Sequence, residues 1–160
     1  MTNETVAVID AVAWATIQVG TGYLVHRMPA SRFEHDGRLW RRRSFETRRR
    51  YERWTRVRRW KGALPEGGAV FRGGVSKRTL LGRDADALRR YALETRRGEL
   101  GHWLAVSATP LFALWNPAWL MPFMVLYAAV TNAPCVIAMR YNRLRIEALL
   151  ARPPTGIRSS

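Results

Sequence analysis

Positive charge is missing from two long parts of this chain. All 27 Lys and Arg residues fall either from Arg27 to Arg97 or from Arg140 to Arg158. Residues 1–26 and 98–139 hold none, and their acids are Glu4, Asp10 and Glu99. A soluble surface scatters ionised groups along the chain, whereas a bilayer span excludes them. The gaps therefore argue against an ordinary soluble domain and mark both stretches as membrane candidates. Cysteine is nearly absent: Cys135 stands alone, which rules out an internal disulfide framework and leaves a small buried hydrophobe. No Gly-rich phosphate loop, paired-Cys motif or Gly-x-Ser-x-Gly elbow occurs, so soluble nucleotide-binding and hydrolase folds find no support. The slightly negative mean hydropathy misleads, because it averages a very apolar part with a very basic one.

What is present points to a mainly α, helical integral membrane protein. We expect about three membrane segments, an interfacial amphipathic helix and a small cytoplasmic loop region, all in one domain over residues 1–160. The stretch 5–25 matches the roughly 20 residues that cross a bilayer as a helix. Its basic flank follows it, as in an uncleaved anchor, and basic flanks stay cytoplasmic, placing the N-terminus outside. Asp10, Trp14 and Gln18 share one face of that helix, expected to meet protein or the outer interface rather than lipid. The second apolar region carries Trp115-Asn116-Pro117-Ala118-Trp119 near its middle, which reads as the turn of a membrane hairpin with arms 101–114 and 118–139. The first arm is short for a full crossing, so a tilted, interfacial or re-entrant arm stays open. Pro110, Pro122 and Pro134 are expected to kink the arms.

Residues 27–99 form the basic cytoplasmic or interfacial region and 140–160 a basic cytoplasmic tail, disordered from Ala151. Thr47, Tyr51, Trp54 and Val57 recur at helical spacing among arginines, as in a helix lying at the headgroup level. Residues 64–68 read as a turn, Val70 to Leu81 as a short Gly-broken hairpin, and Asp84 as the cap of a helix running toward the membrane.

Chemistry concentrates where the basic region re-enters the apolar one. Glu99 and His102 stand one helical turn apart, so the carboxylate is expected to orient the imidazole as a general base toward a hydroxyl; a plain structural hydrogen bond is the competing reading. A hairpin returns Arg140, Asn142 and Arg143 to the same boundary. Arg140 and Arg143 are then expected to clamp an anion, with Asn132 or Asn142 stabilising a developing oxyanion. Arginines that follow a span also serve as simple anchors. Glu-x-x-His spacing raises a metal reading, but further carboxylates and a second histidine are lacking, so no metal and no cofactor are expected.

At these residues the chain resembles the glycosyl-4,4'-diaponeurosporenoate acyltransferases, small bacterial membrane enzymes of carotenoid biosynthesis. The resemblance runs over roughly residues 40 to 145. It rests on Trp54 with Arg58, Trp60 and Lys61, on Glu94-Thr95-Arg96-Arg97 with Glu99, His102 and Trp103, and on Tyr127-Ala128, Asn132, Pro134 and Arg140-Tyr141-Asn142-Arg143 with Arg145. Met139 departs from the pattern, where a polar residue is expected. The resemblance implies a multi-pass protein of the bacterial cell membrane that moves a fatty acyl group onto a sugar hydroxyl of a glycosyl carotenoid or other glycolipid. The donor is then an activated acyl group such as acyl-CoA or acyl carrier protein. His102, Glu99 and Asn142 become the expected catalytic set. Glu94, Arg96, Arg97, Trp103, Asn132, Arg140, Tyr141, Arg143, Trp54 and Trp60 become the expected substrate contacts. Membrane lipid is an expected partner and nucleic acid is not. The rival reading is a non-enzymatic adaptor whose net charge of +15 draws anionic lipid, nucleic acid or a partner enzyme.

Overall fold

The computed structural model describes residues 2–35, 37–64 and 85–151, and among these it is helical without a strand. Helix α1 spans Asn3–Arg27. The Thr2 hydroxyl accepts from the Thr5 amide, satisfying one of the orphan donors at the helix start. It stops before Pro29, which forces Met28 into extended backbone. Helix α4, Ala85–Ser107, packs against both α1 and the last helix, α5, Met121–Leu150. It ends one turn short of Pro110, and a 3-10 helix, Thr109–Leu114, takes over. Helix α5 covers Met121–Leu150, entered through a short 3-10 turn at Ala118–Leu120.

Among the described residues two helices are long and apolar enough to cross a membrane: Asn3–Arg27, and the stretch Ala118–Leu150. The expected third segment, 101–114, does not exist as a separate arm. Its first half is the end of α4, whose earlier turns carry Arg89, Arg90, Arg96 and Arg97, and its second half is the 3-10 helix. Of the three prolines expected to kink helices, Pro134 alone lies inside one. Pro110 and Pro122 sit at helix starts, where a missing N–H costs nothing. Large apolar side chains such as Val12, Val19, Leu126 and Val130 point outward from α1 and α5 at 60 to 63% exposure, an exposed apolar surface of the kind that marks an interaction face.

Among the described residues the interior holds two apolar clusters. Trp14, Phe112 and Ala128 join α1, the 3-10 helix and α5 at one end. Val57, Ala138 and Tyr141 fasten the basic segment to α5 at the other. Helix α4 approaches its neighbours closely at two glycines. A Cβ on Gly98 would stand 2.5 Å from the Met139 Cε, and one on Gly101 would stand 3.3 Å from the Val25 Cγ2. Met139 thus fills the space that Gly98 leaves.

The expected interfacial helix is broken. Helix α2, Arg48–Trp54, is capped by the Thr47 hydroxyl, and helix α3 is a single turn, Val57–Trp60. Arg56 between them adopts φ 48°, the left-handed region, and turns the chain. The shared face is lost with it, because Val57 is fully buried while Trp54 is 77% exposed among exposed arginines. Residues 65–84, which include the expected hairpin and the Asp84 cap, and the tail from Arg152 lie outside the described residues.

Candidate functional site

Two polar layers cross the bundle where α1, α4 and α5 meet. The lower one centres on Glu99, which is completely buried. Arg140 Nε donates to Glu99 Oε1 at 2.7 Å, and Arg143 Nη2 donates to Glu99 Oε2 at 2.9 Å. Arg140 is a three-way clamp, because its Nη1 also reaches Glu46 Oε1 and its Nη2 the Leu39 carbonyl, each at 2.7 Å. Two guanidiniums thus face two carboxylates, and the quartet carries no net charge. Pairing of this kind is what makes a fully buried glutamate tolerable.

Glu46 was not singled out from sequence, although one acid between Arg41-Arg42-Arg43 and Arg48-Arg49-Arg50 is a visible signal. Burial opposes its charge. Hydrogen bonds from the Arg43 amide, Arg140 and the Tyr51 hydroxyl outweigh that and hold its carboxyl below the ordinary range. Burial, reinforced by Glu46, in turn pushes the Tyr51 phenol up. A carboxyl lowered by folding binds fewer protons when folded, so its contribution is complete above about pH 4.3 and is lost as pH falls through the lowered value. Thermal melts from pH 6 to pH 3 should therefore show the basic segment loosening from α5 below about pH 4.3. A Glu46→Gln protein should melt earlier at pH 6 and show a flatter slope; an unchanged slope would remove Glu46 from the account.

The upper layer holds His102. Its Nδ1 lies 2.8 Å from Asn132 Oδ1. Asn132 is fully buried, and its amide nitrogen donates to the Ala128 carbonyl, while its oxygen also accepts from Gln18 Nε2 at 3.2 Å. The amide orientation is fixed by these bonds. Asn132 presents an acceptor to the imidazole, so Nδ1 carries a proton, and in the neutral ring Nε2 keeps its lone pair. Nε2 makes no hydrogen bond among the described residues, leaving it open to a ligand.

Several expected pairings are replaced. Glu99 does not orient His102; the arginines claim both of its oxygens, and Asn132 takes its place. Arg140 and Arg143 are not a free anion clamp, because both are held by Glu99, with one buried donor, Arg143 Nη1, left over. Asn132 is an acceptor beside His102 rather than a donor to an oxyanion. Asn142 lies ten residues farther along α5, about 15 Å of rise away. There its Oδ1 accepts from Lys61 Nζ at 2.7 Å and its Nδ2 faces the Tyr91 hydroxyl.

The remaining expected contacts hold segments together. Arg96 Nη1 donates to the Phe33 and Glu34 carbonyls, and Arg97 lies over the Phe33 ring and pairs with Glu94. The Tyr141 hydroxyl donates to Glu52 at 2.7 Å. Trp60 Nε1 donates to the Thr55 carbonyl, Trp103 Nε1 reaches Glu99 at 3.4 Å, and Trp54 projects outward. Gln18 is the residue of this layer without an expected chemical role, though its face of α1 does meet protein as expected. Among the described residues no group of three or more His, Cys, Asp and Glu side chains converges on a common point.

A family model described as glycosyl-4,4'-diaponeurosporenoate acyltransferase matches residues 31–152. The chain is similar to the glycosyl-4,4'-diaponeurosporenoate acyltransferase of Staphylococcus aureus strain bovine RF122 / ET3-1, with 28% identity over 138 residues, 86% of this chain and 83% of that one. The protein of that name from strain MRSA252 matches to the same extent. The one from strain USA300 is 32% identical over 74 residues, 46% of this chain and 44% of the relative. No solved structure is a significant match.

Proposed function

Because this chain belongs to the glycosyl-4,4'-diaponeurosporenoate acyltransferase family, we propose that it transfers a fatty acyl group from a thioester donor to a sugar hydroxyl of a glycosylated carotenoid or similar glycolipid. The observation that carries the mechanism is the His102–Asn132 hydrogen bond of 2.8 Å, with Nε2 left open. Nε2 takes the proton of the sugar hydroxyl as its oxygen attacks the acyl carbonyl carbon. The tetrahedral intermediate then collapses, the carbon–sulfur bond breaks, and His102 returns the proton to the departing thiolate. Asn132, braced by Gln18, holds the ring in the tautomer that this cycle needs.

The arrangement suits amphipathic substrates. Helices α1 and α5 cross the membrane with the N-terminus outside, α4 and the 3-10 helix return the chain between them, and the basic segment 27–64 rests on the cytoplasmic face. There it meets an anionic donor such as acyl-CoA or acyl carrier protein. The exposed arginines of α2 and α3, not neutralised Arg140 and Arg143, supply that attraction. No cofactor is required. The test is lipid-extract mass spectrometry on a host that makes a glycosyl carotenoid, with and without this protein in its membranes. A new species heavier by one fatty acyl ester supports the reading. Its absence, with the protein present and the acceptor abundant, overturns it.

A further inference from the structure

The basic segment presents one face that no described residue covers. Helix α2 turns Tyr51 and Glu52 toward the bundle: the Tyr51 hydroxyl donates to Glu46 Oε1 and the Tyr141 hydroxyl to Glu52 Oε1, each at 2.7 Å. By the 3.6-residue period, Arg49, Arg50, Arg53 and Trp54 then fall on the opposite side. All four are exposed, Trp54 at 77%. Arg50 Nη1 donates to the Phe45 carbonyl at 3.4 Å, which sets Phe45, itself 60% exposed, beside the same face. The acids of residues 41–60 are Glu46 and Glu52, and both are engaged inward, Glu46 by Arg140 and Glu52 by Arg48 and Tyr141. Arg49, Arg50 and Arg53 form no ion pair among the described residues.

Three cations without counter-charges around two exposed aromatic rings have the composition of a protein-docking surface, where tryptophan and arginine supply much of the binding energy. Resting on the acyl-transfer reading above, we infer that this face receives an acidic acyl carrier protein, so that the thioester arrives on that protein's prosthetic arm rather than as free acyl-CoA. Charge complementarity sets the sign of the partner. Shape separates a protein from a nucleotide: a small ligand such as CoA needs a concave site, and Trp54 stands out from α2 instead of walling a cleft. The break at Arg56 separates a protein from lipid. A helix lying on a membrane needs a continuous apolar stripe, whereas here Val57 is turned inward against Ala138 and Tyr141 and Trp54 is left among arginines. The docked partner must also project its thioester. Asn132, which holds His102, lies nine residues before Tyr141 on α5, about 14 Å of rise, and a carrier protein's long flexible arm covers a gap of that kind.

The test places the full chain in phosphatidylcholine nanodiscs and follows binding of a purified bacterial acyl carrier protein, charged with a saturated acyl chain, by biolayer interferometry. The carrier should bind, and more weakly as salt rises. Changing Arg49→Glu, Arg50→Glu and Arg53→Glu together should weaken it at least about tenfold, because like charges then meet across the interface. Trp54→Ala should weaken it about tenfold, as loss of an exposed anchor does. The bond from Arg50 to the Phe45 carbonyl is the one side-chain hydrogen bond these four residues make among the described residues, so both variants should fold. A carrier whose surface acids are changed to lysine should bind the triple variant better than it binds wild type, a gain that no folding defect produces. Changing Arg32→Glu, Arg38→Glu and Arg90→Glu, exposed on other elements, should leave binding as in wild type. No binding to wild type, displacement of the carrier by CoA, or an equal loss in that control would overturn the inference. So would unchanged carrier binding in the folded α2 variants with protection of α2 from trypsin only in phosphatidylglycerol nanodiscs, which gives the face to lipid. Ester formation from acyl-CoA without carrier binding sinks the docking face and leaves acyl transfer standing; carrier binding with no ester from either donor sinks acyl transfer instead.

Discussion

A Glu99→Ala protein is expected to lose about 3–5 kcal/mol of stability, the cost of leaving buried partners without their counter-charge. Glu99 is fully buried, and it neutralises Arg140 and Arg143, whose side chains are 16% and 6% exposed. Removing the carboxylate strands the Arg143 guanidinium where little water reaches it and leaves Arg140 with Glu46 as its counter-charge. Against a total of roughly 5–15 kcal/mol for a folded protein, much of the chain should fail to accumulate in membranes. Glu99→Gln retains the shape and one acceptor oxygen, so it should fall between alanine and wild type. Adding Arg143→Met to Glu99→Ala should recover part of the loss, because the two residues interact directly and their effects cannot add. Thermal unfolding of the four purified proteins measures this. A Glu99→Ala protein that melts like wild type yet makes no product would return Glu99 to the chemistry and refute its structural role.

That role shows where the sequence was legible and where it was not. Spans 5–25 and 118–139 stand out because excluding charge from an apolar run is a local property, and α1 with the apolar part of α5 occupies them. The sequence reads residues 101–114 as an independent arm because they are apolar in isolation. The helix that holds residues 101–107 begins sixteen residues earlier in polar sequence, so apolarity there marks packing inside the bundle rather than a new element. The break at Arg56 left no trace in composition, since a left-handed arginine is a decision of tertiary packing: burying Val57 and Tyr141 together outweighs keeping Trp54 and Val57 on one face.

The site was half legible for a related reason. His102, Glu99, Asn132, Arg140 and Arg143 were all marked from the resemblance and from their place at the boundary, and the family match over residues 31–152 covers every one of them. Partnership could not be read in the same way. Glu99 and His102 are neighbours on a helix, and helical adjacency suggested a pair, but charge decides otherwise. A carboxylate within reach of two guanidiniums gains more from them than from a neutral imidazole. Asn132 and Gln18, far away in sequence, were left to complete the histidine. Neither spacing nor composition encodes a contact between residues 18, 102 and 132; the crossing of three helices does.

The largest effect on activity belongs to His102→Ala. Removing a positioned general base costs typically 10²- to 10⁴-fold, so the acyl ester in lipid extracts should fall by at least about a hundredfold at matched membrane levels. The fold should survive, because His102 makes one side-chain hydrogen bond and its departure leaves Asn132 still bonded to Gln18 and Ala128. The partner residue sharpens the interpretation. Asn132→Asp keeps an oxygen for the Nδ1–H and should retain more activity than Asn132→Leu, which leaves the ring free to turn and Gln18 without its acceptor. Substituting Arg49, Arg50 and Arg53, which are exposed on α2, should raise the donor concentration needed without removing the product. An adaptor would show the reverse pattern, tolerating His102→Ala and failing as the arginines are lost. If wild-type and His102→Ala extracts hold the same acylated glycolipid, His102 is a structural residue and the proton must leave the sugar by another route.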